Sequence, residues 1–207
     1  MNIFNIGLDG WNIIVVKLNW FAIIILLIAI WAISFIVKKC VNVVNKHYIT
    51  IDEVNLGIGN SSVKLLYNKK DQEIAYKLWV ELSTRKIGLP FDRENDVISE
   101  VYNSWYEFFK IARELLKEIP VGRLPYSNDL IQLTEKVLNM GLRPHLTMWQ
   151  AKYRKWYDKA LEEKSGTPQE IQKQYPEYAL LIEDLLLTNE RMIEYKNLMG
   201  EIAFKNK

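Results

Sequence analysis

The dominant pattern in the chain is an uncharged apolar run from Trp20 to Val37. Only Ser34 and the tryptophan indoles carry polar side-chain groups in this run, and isoleucine is its commonest residue. A helix of this length covers roughly 27 Å, close to the thickness of the hydrocarbon core of a bilayer. A helix buried in a soluble protein normally shows one polar face, whereas this run is apolar on every side. The pattern therefore predicts a transmembrane helix at about 20–37, with Trp20 as an aromatic anchor at one interface.

The charges that flank the run predict its orientation. No small-residue cleavage site follows it, so the segment is expected to stay attached as an anchor and not to act as a cleaved signal peptide. Lys38, Lys39 and Lys46 lie on the C-terminal side, against Lys17 and the more distant Asp9 on the other. Because positive flanks stay in the cytoplasm, we expect a single-pass protein with its N-terminus outside.

The first 19 residues leave two alternatives open. They are apolar but interrupted by polar residues, which favours an interfacial segment with Lys17 reaching the headgroups. The other interpretation is a longer span, from Trp11 to Val37, that holds Lys17 inside the bilayer. A lysine in that position is costly, and it would be functional by default.

The pattern changes after the membrane segment. Alternating residues within 48–68, with Gly57 and Gly59 between two apolar stretches, predict a short β-hairpin. The helical period then dominates to the end of the chain. We therefore expect a membrane segment at 1–39, a membrane-exit linker with the β-hairpin at 40–70, and a cytoplasmic helical domain at 71–207.

Start and stop signals divide the last region into helices. The expected signals are a cap at Asp71, acids at 92–96 opening a helix that stops before Pro120, a helix over 128–140 ended by Gly141, a new start at Arg143-Pro144, a cap at Thr167-Pro168, and a last long helix after Pro176. The expected fold is mainly α: one N-terminal transmembrane helix, a short β-hairpin and a cytoplasmic antiparallel bundle of about five helices.

Composition adds little chemistry to this architecture. The net charge of +2 makes no argument for nucleic acid as a partner, and the single cysteine, Cys40, excludes an internal disulfide. His47 and His145 lack a second histidine or cysteine at metal-ligand spacing, and the acids at 92–96 fail the pattern of a calcium loop. No catalytic motif is present, so we expect no catalytic residue, metal or cofactor; a spatial cluster of His145 with acids of the last helix stays an alternative.

Two surfaces are candidates for binding a partner. The segment "RPHLTMWQAKYRKWYDKA" interleaves basic and aromatic residues, which can hold single-stranded nucleic acid. The spacing of its aromatic residues favours the plainer interpretation, in which Trp149, Tyr153 and Trp156 are buried. In "EVYNSWYEFF" only Tyr106 faces away from the predicted core. The candidate partner-binding residues are Tyr106, Arg143, His145 and Arg154.

Two stretches carry a resemblance to known proteins: "GLPFDRENDVISEVYNSWYEFFKIARELLKEIP" at 88–120 and "LNMGLRPHLTMWQAKYRKWY" at 138–157. Together they make up about a quarter of the chain. They are similar to bacterial proteins with one N-terminal span and a helical cytoplasmic domain, and they resemble small membrane effectors of bacterial anti-phage defence systems of the retron kind. Such effectors damage the inner membrane when a partner senses phage, and the resemblance transfers no site residues.

The expected function follows from the span and this resemblance. The chain is expected to be a non-enzymatic effector in the bacterial inner membrane that causes growth arrest or cell death when a partner signals infection. Its expected partners are the bilayer, a protein encoded nearby and further copies of itself, with nucleic acid only weakly supported. The alternative is a non-toxic scaffold that tethers a protein or nucleic-acid partner to the membrane.

Overall fold

The computed structural model of the chain describes residues 4–9, 13–18, 20–44 and 47–204. The chain forms two compact units, Met1–Asn45 and Lys46–Lys207. The buried hydrophobic core of the described residues lies in the second unit, between Ile49 and Ile202.

Two antiparallel strands, which the sequence pattern did not lead us to expect, open the N-terminal unit. Strand β1 covers Phe4–Asp9 and strand β2 covers Ile13–Leu18, with Lys17 opposite Asn5. The Asp-Gly pair that begins at the last residue of β1 is a typical hairpin signal in the sequence, and the β-branched residues of β2 suit a strand. Because β2 is extended, one continuous helical span over 11–37 is wrong. The interfacial location of this segment stays a prediction.

Helix α1 covers Trp20–Val44, so it begins at the residue predicted to open the span. Its described side chains from Trp20 to Lys38 are exposed, except for the half-buried Ala32. Among the described residues, no helix is both long and apolar enough to cross a membrane. The predicted helix is present, and its insertion into a bilayer stays a prediction.

The second unit begins with the predicted β-hairpin, which is confirmed. Strands β3 (His47–Asp52) and β4 (Ser62–Tyr67) pair in antiparallel register. A one-turn helix, α2 (Glu53–Leu56), lies in the connection. It ends at Gly57, whose φ of 65° places it in the left-handed region that favours glycine.

Helix α3 (Lys69–Thr84) buries the face that its period predicts, formed by Ile74, Ala75, Leu78 and Leu82. Its cap lies earlier than predicted. The Asn68 side chain accepts the N–H groups of Lys70 and Asp71, and the Asp71 carboxylate accepts that of Asn68. Asp71 is therefore the third residue of a capping box, not the cap itself.

Helix α4 (Ile98–Lys117) starts later than the acids at 92–96 predicted. Asp92 instead accepts the N–H groups of Glu94 and Asn95 in a local turn. The N–H of Ile98 donates to Oε1 of Gln172 at 2.9 Å, across 74 residues of sequence. The start of α4 is thus capped by a residue that no local signal could indicate.

One helical run replaces the two helices predicted around Gly141 and Pro144. Helix α5 (Leu124–Lys136) continues through a π-helical turn, the short α6 (Arg143–His145), a second π-helical turn and α7 (Ala151–Glu163). Proline lacks the N–H of a regular helical bond, and wider turns accommodate that loss without ending the helix. The predicted stop at Gly141 is therefore wrong.

Two further helices complete the described fold. The predicted cap is confirmed at Thr167, which forms a capping box with Glu170 at the start of α8 (Pro168–Gln172). Helix α9 (Tyr178–Phe204) is the longest in the second unit and packs along α3. Its buried side chains include Leu185, Met192 and Tyr195. The mainly helical fold with a short β-hairpin is confirmed for the described residues.

Candidate functional site

The predicted site residues lie in different surroundings. Lys17 is in β2, and Trp20 at the start of α1 is 61% exposed. In the second unit, Tyr106 on α4 is 57% exposed and Arg143 on α6 is exposed. His145 is only 2% exposed, so its ring cannot contribute directly to a docking surface.

The basic-aromatic segment buries its aromatic face, as favoured by its spacing. Trp149, Tyr153 and Tyr157 are buried, whereas Trp156 is half-buried. The lysines at 152, 155 and 159 are exposed. Arg154 is half-buried because its guanidinium folds onto α4, where Nη2 donates to Oδ1 of Asn103.

A surface that we name the arginine patch forms where this segment crosses α4. It consists of Asn103, Tyr106, Phe109 and Arg113 of α4 with Arg143 and Arg154 of the helical run. Arg143 contacts Phe109, His145 contacts Tyr102 and Arg154 contacts Asn103, so the two helices pack in opposite directions.

Cation–π contacts order one end of the arginine patch. The guanidinium carbons of Arg143 and Arg113 lie 4.8 and 5.5 Å from the ring centre of Phe109. Arg143 Nε also donates to Oδ1 of Asn139 at 3.1 Å. Stacking on a ring fixes the plane of a guanidinium and leaves N–H donors at its edge for an anion.

The arginines of the patch keep their charge available. None of the three forms an ion pair with a carboxylate among the described residues. Of the nearby acids of α4, Glu107 lies 4.0 Å from Lys110 and Glu114 lies 2.7 Å from Lys117, whereas Glu100 accepts a hydrogen bond from Nδ2 of Asn103. In addition, Nε of Arg154 is buried and has no partner in the described part of the chain.

A second group of polar side chains lies beneath the patch. Nδ1 of His145 is 2.7 Å from Oδ2 of Asp184 on α9, and its Nε2 is 3.1 Å from the hydroxyl of Tyr102. The indole N–H of Trp149 donates to the same carboxylate oxygen at 2.9 Å. The alternative of His145 meeting an acid of the last helix is therefore confirmed as geometry. We name these four residues the histidine cluster.

The hydrogen bonds of His145 are compatible with a neutral ring. With a proton on Nδ1 the ring donates to Asp184, and Nε2 then accepts from the Tyr102 hydroxyl, so both bonds are satisfied without a charge on the ring. Burial lowers the pKa of His145, although its bond to the Asp184 carboxylate acts in the opposite direction. Burial also raises the pKa of Tyr102, which keeps its hydroxyl as a donor.

The hydrogen bonds of the histidine cluster hold three helical elements together, and we call this role a structural lock. A general base must present a free nitrogen to a substrate, but Nε2 is occupied by Tyr102, which is fully buried. The bonds join α4, the middle of the helical run and α9. One signal could have indicated Asp184: this carboxylate lies at helical spacing between Leu181 and Thr188, on the buried face of α9.

Other candidate sites are sparse among the residues that the structure describes. These residues hold no group of three or more metal-ligating side chains. A pocket of about 110 Å³ lies between β4 and α5, with Glu53, Lys64 and Lys136 among its polar lining, and it lies outside both the patch and the cluster. Comparison of the chain with protein-family models, with curated proteins and with solved structures found no match.

Proposed function

We propose that the chain is a membrane-anchored, non-enzymatic effector whose helical domain receives a signal by binding a partner. The observation that carries the proposal is the exposure of α1: its side chains at Ile25, Ile28 and Trp31 are 63%, 59% and 70% exposed. An apolar helix exposed on all its faces is unstable in water and stable in lipid.

The composition of the segment supports insertion. No helix of the described residues is long and apolar enough to cross a membrane, and insertion is proposed from the composition of the segment and from the exposure of α1. Twelve of the 18 residues of Trp20–Val37 are Ile, Leu, Phe or Val. On an insertion scale each contributes about −0.3 to −0.6 kcal/mol, which sums to roughly −4 to −7 kcal/mol.

Charge placement supports the orientation. Lys38, Lys39 and Lys46 follow the apolar run, and only Lys17 precedes it closely. The domain from residue 46 onward would then lie in the cytoplasm of a bacterium, with the N-terminal hairpin on the outer side of the inner membrane.

The proposed action is damage to the bilayer by several copies of α1. In this proposal the helical domain keeps the spans unproductive until a partner encoded nearby signals phage infection, and cell death or growth arrest follows. The resemblance of residues 88–120 and 138–157 to anti-phage effectors supports this role. The alternative is a scaffold whose helical domain binds a protein or nucleic acid at the membrane without toxicity.

The test compares the full chain with a triple variant, Leu27→Lys, Ile28→Lys and Ile30→Lys. Each central lysine costs about 2.5 to 3.5 kcal/mol, so three of them exceed the apolar gain of the remaining residues. The matched control carries Leu27→Ile, Ile28→Leu and Ile30→Leu. Membrane fractionation and membrane potential are measured in bacteria that express each form.

The two readouts separate the hypotheses. If the full chain and the control sediment with membranes and depolarise the cells, and the lysine variant does neither, the effector proposal holds. Membrane association without depolarisation, also in the presence of neighbouring genes and phage, favours the scaffold. A full chain that stays in the soluble fraction overturns the membrane assignment.

A further inference from the structure

The three arginines of the patch form no ion pair among the described residues, and the proposed function leaves the ligand of the helical domain unnamed. We infer that the arginine patch binds single-stranded nucleic acid, with Tyr106 stacking on a base and Arg143, Arg113 and Arg154 contacting phosphates. The inference names the partner class of the helical domain in the proposed function. It concerns binding only, so it can be measured whether or not α1 damages a bilayer.

The arginines of the patch are not paired with carboxylates of the described residues. Surface arginines of a helical protein commonly pair with a carboxylate three or four residues away, but Arg113 and Arg143 have none at this spacing. Arg113 and Arg143 both stack on Phe109, so their guanidinium carbons lie within about 10 Å of each other. Two pre-oriented forks at this distance suit neighbouring anionic groups on one ligand.

The exposed ring of Tyr106 lies in the middle of the arginine patch. Tyr106 follows Asn103 by three residues and precedes Phe109 by three, so it lies one helical turn from each contact point of the arginines. Its ring is 57% exposed between the Arg154 end and the Arg143 end of the patch. An aromatic face between cationic groups is the arrangement with which proteins hold single strands.

The spacing of the charged groups suits a short stretch of a single strand. The residues of α4 that Arg143 and Arg154 contact, Phe109 and Asn103, are six positions apart, which is roughly 9 Å along a helix. At about 3.4 Å per stacked nucleotide this distance accommodates about three nucleotides. An acidic peptide would also neutralise the arginines, but it would leave the Tyr106 ring without a role. The patch therefore favours a single strand over a peptide.

The experiment measures fluorescence anisotropy with the full chain in neutral detergent micelles. The probes are labelled single-stranded RNA and DNA of about 15 nucleotides, a duplex of the same sequence and a labelled glutamate-rich peptide. Three phosphate contacts on a single strand predict a salt slope of about −2, so affinity should fall roughly 20-fold when salt rises fourfold.

Point variants connect the binding to the patch. Tyr106→Leu should weaken single-strand binding roughly 10-fold and leave the salt slope unchanged, because it removes stacking and no charge. Arg143→Gln should weaken binding and reduce the magnitude of the salt slope by about 0.7. Lys159→Gln is the matched control: it removes one charge from the same helical run at a residue paired with Glu163, and binding should stay within about twofold.

The outcomes decide the inference. Single-strand binding that is lost with Tyr106→Leu and Arg143→Gln but kept with Lys159→Gln supports it. Tighter binding of the peptide, or of the duplex, overturns it in favour of another anionic partner. Absence of binding to all probes overturns it as well, and so does an equal loss in the lysine control. None of these results depends on membrane depolarisation, so failure here leaves the proposed function to its own test.

Discussion

Replacing His145 by leucine should show whether the histidine cluster holds three elements together. The substitution places an apolar side chain of similar size in the core and removes both ring nitrogens. The 2.7 Å bond to Asp184 and the 3.1 Å bond from Tyr102 are then lost.

The expected cost can be worked out from what each partner retains. The hydroxyl of Tyr102 is left buried without an acceptor, which costs about 1–3 kcal/mol. The Asp184 side chain is 37% exposed, so water and Trp149 replace most of its lost bond, at a further cost of about 1 kcal/mol. The sum is about 2–4 kcal/mol, or a fall in melting temperature of roughly 5–15 °C.

A second substitution gives this prediction its sharpest form. If the unpaired Tyr102 hydroxyl carries most of the cost, adding Tyr102→Phe to His145→Leu should restore about 1 kcal/mol or more, because the orphaned group is removed. Tyr102→Phe alone should destabilise, since Nε2 of His145 then lacks its donor.

The assay is thermal unfolding of the full chain in mild detergent, followed by near-ultraviolet circular dichroism, which reports the packed aromatic residues of the second unit. Additive losses in the double variant, or a His145→Leu variant as stable as the natural chain, would refute the assignment of the cluster as a lock.

Three other predictions use the same melting assay. Burial lowers the pKa of His145, so near pH 6.5 the unfolded chain takes up a proton that the folded chain does not. The stability that the neutral ring contributes is therefore complete above that pH and is lost as pH falls toward the folded pKa. The difference in stability between the natural chain and His145→Leu should narrow between about pH 7.5 and 5.5, and a constant difference would contradict a neutral ring. Tyr153→Phe should raise stability by up to about 1 kcal/mol, since its buried hydroxyl has no partner among the described residues, and a clear loss would reveal one. Gln172→Leu should cost about 2–4 kcal/mol, because the N–H of Ile98 and the carbonyl of Asp96 lose their partners, and an unchanged melt would show that another group caps α4.

The parts of the fold that the sequence predicted are those set by local periodicity. Ile74, Leu78 and Leu82 recur at helical spacing and all three are fully buried, because one face of a helix must meet the core. The hairpin of β3 and β4 was predictable for the same reason, since alternation and glycines are local signals. The hairpin of β1 and β2 carried the Asp-Gly signal too, but its apolar residues were assigned to the membrane interface.

The errors arose where distant contacts override local signals. Gly141 and Pro144 normally end a helix, but Leu138 and Trp149 on either side are buried, and this burial maintains the helical run. The start of α4 was misplaced because its cap, Gln172, comes from α8. Neither contact follows from any window of the sequence, since both depend on how the helices pack.

The same packing links the histidine cluster to the arginine patch. The effect of a variant on binding must therefore be compared with its effect on stability. The helical run displays Arg143 to solvent and buries His145 two residues later, so the histidine cluster holds the part of the run that carries Arg143 against α4. A His145 variant should therefore weaken any ligand of the patch indirectly, in proportion to its loss of stability. Tyr106→Leu should weaken binding without a change in melting temperature, because its side chain is exposed and contributes little to the core. Only a loss of binding of this second kind can be attributed to contact with the ligand.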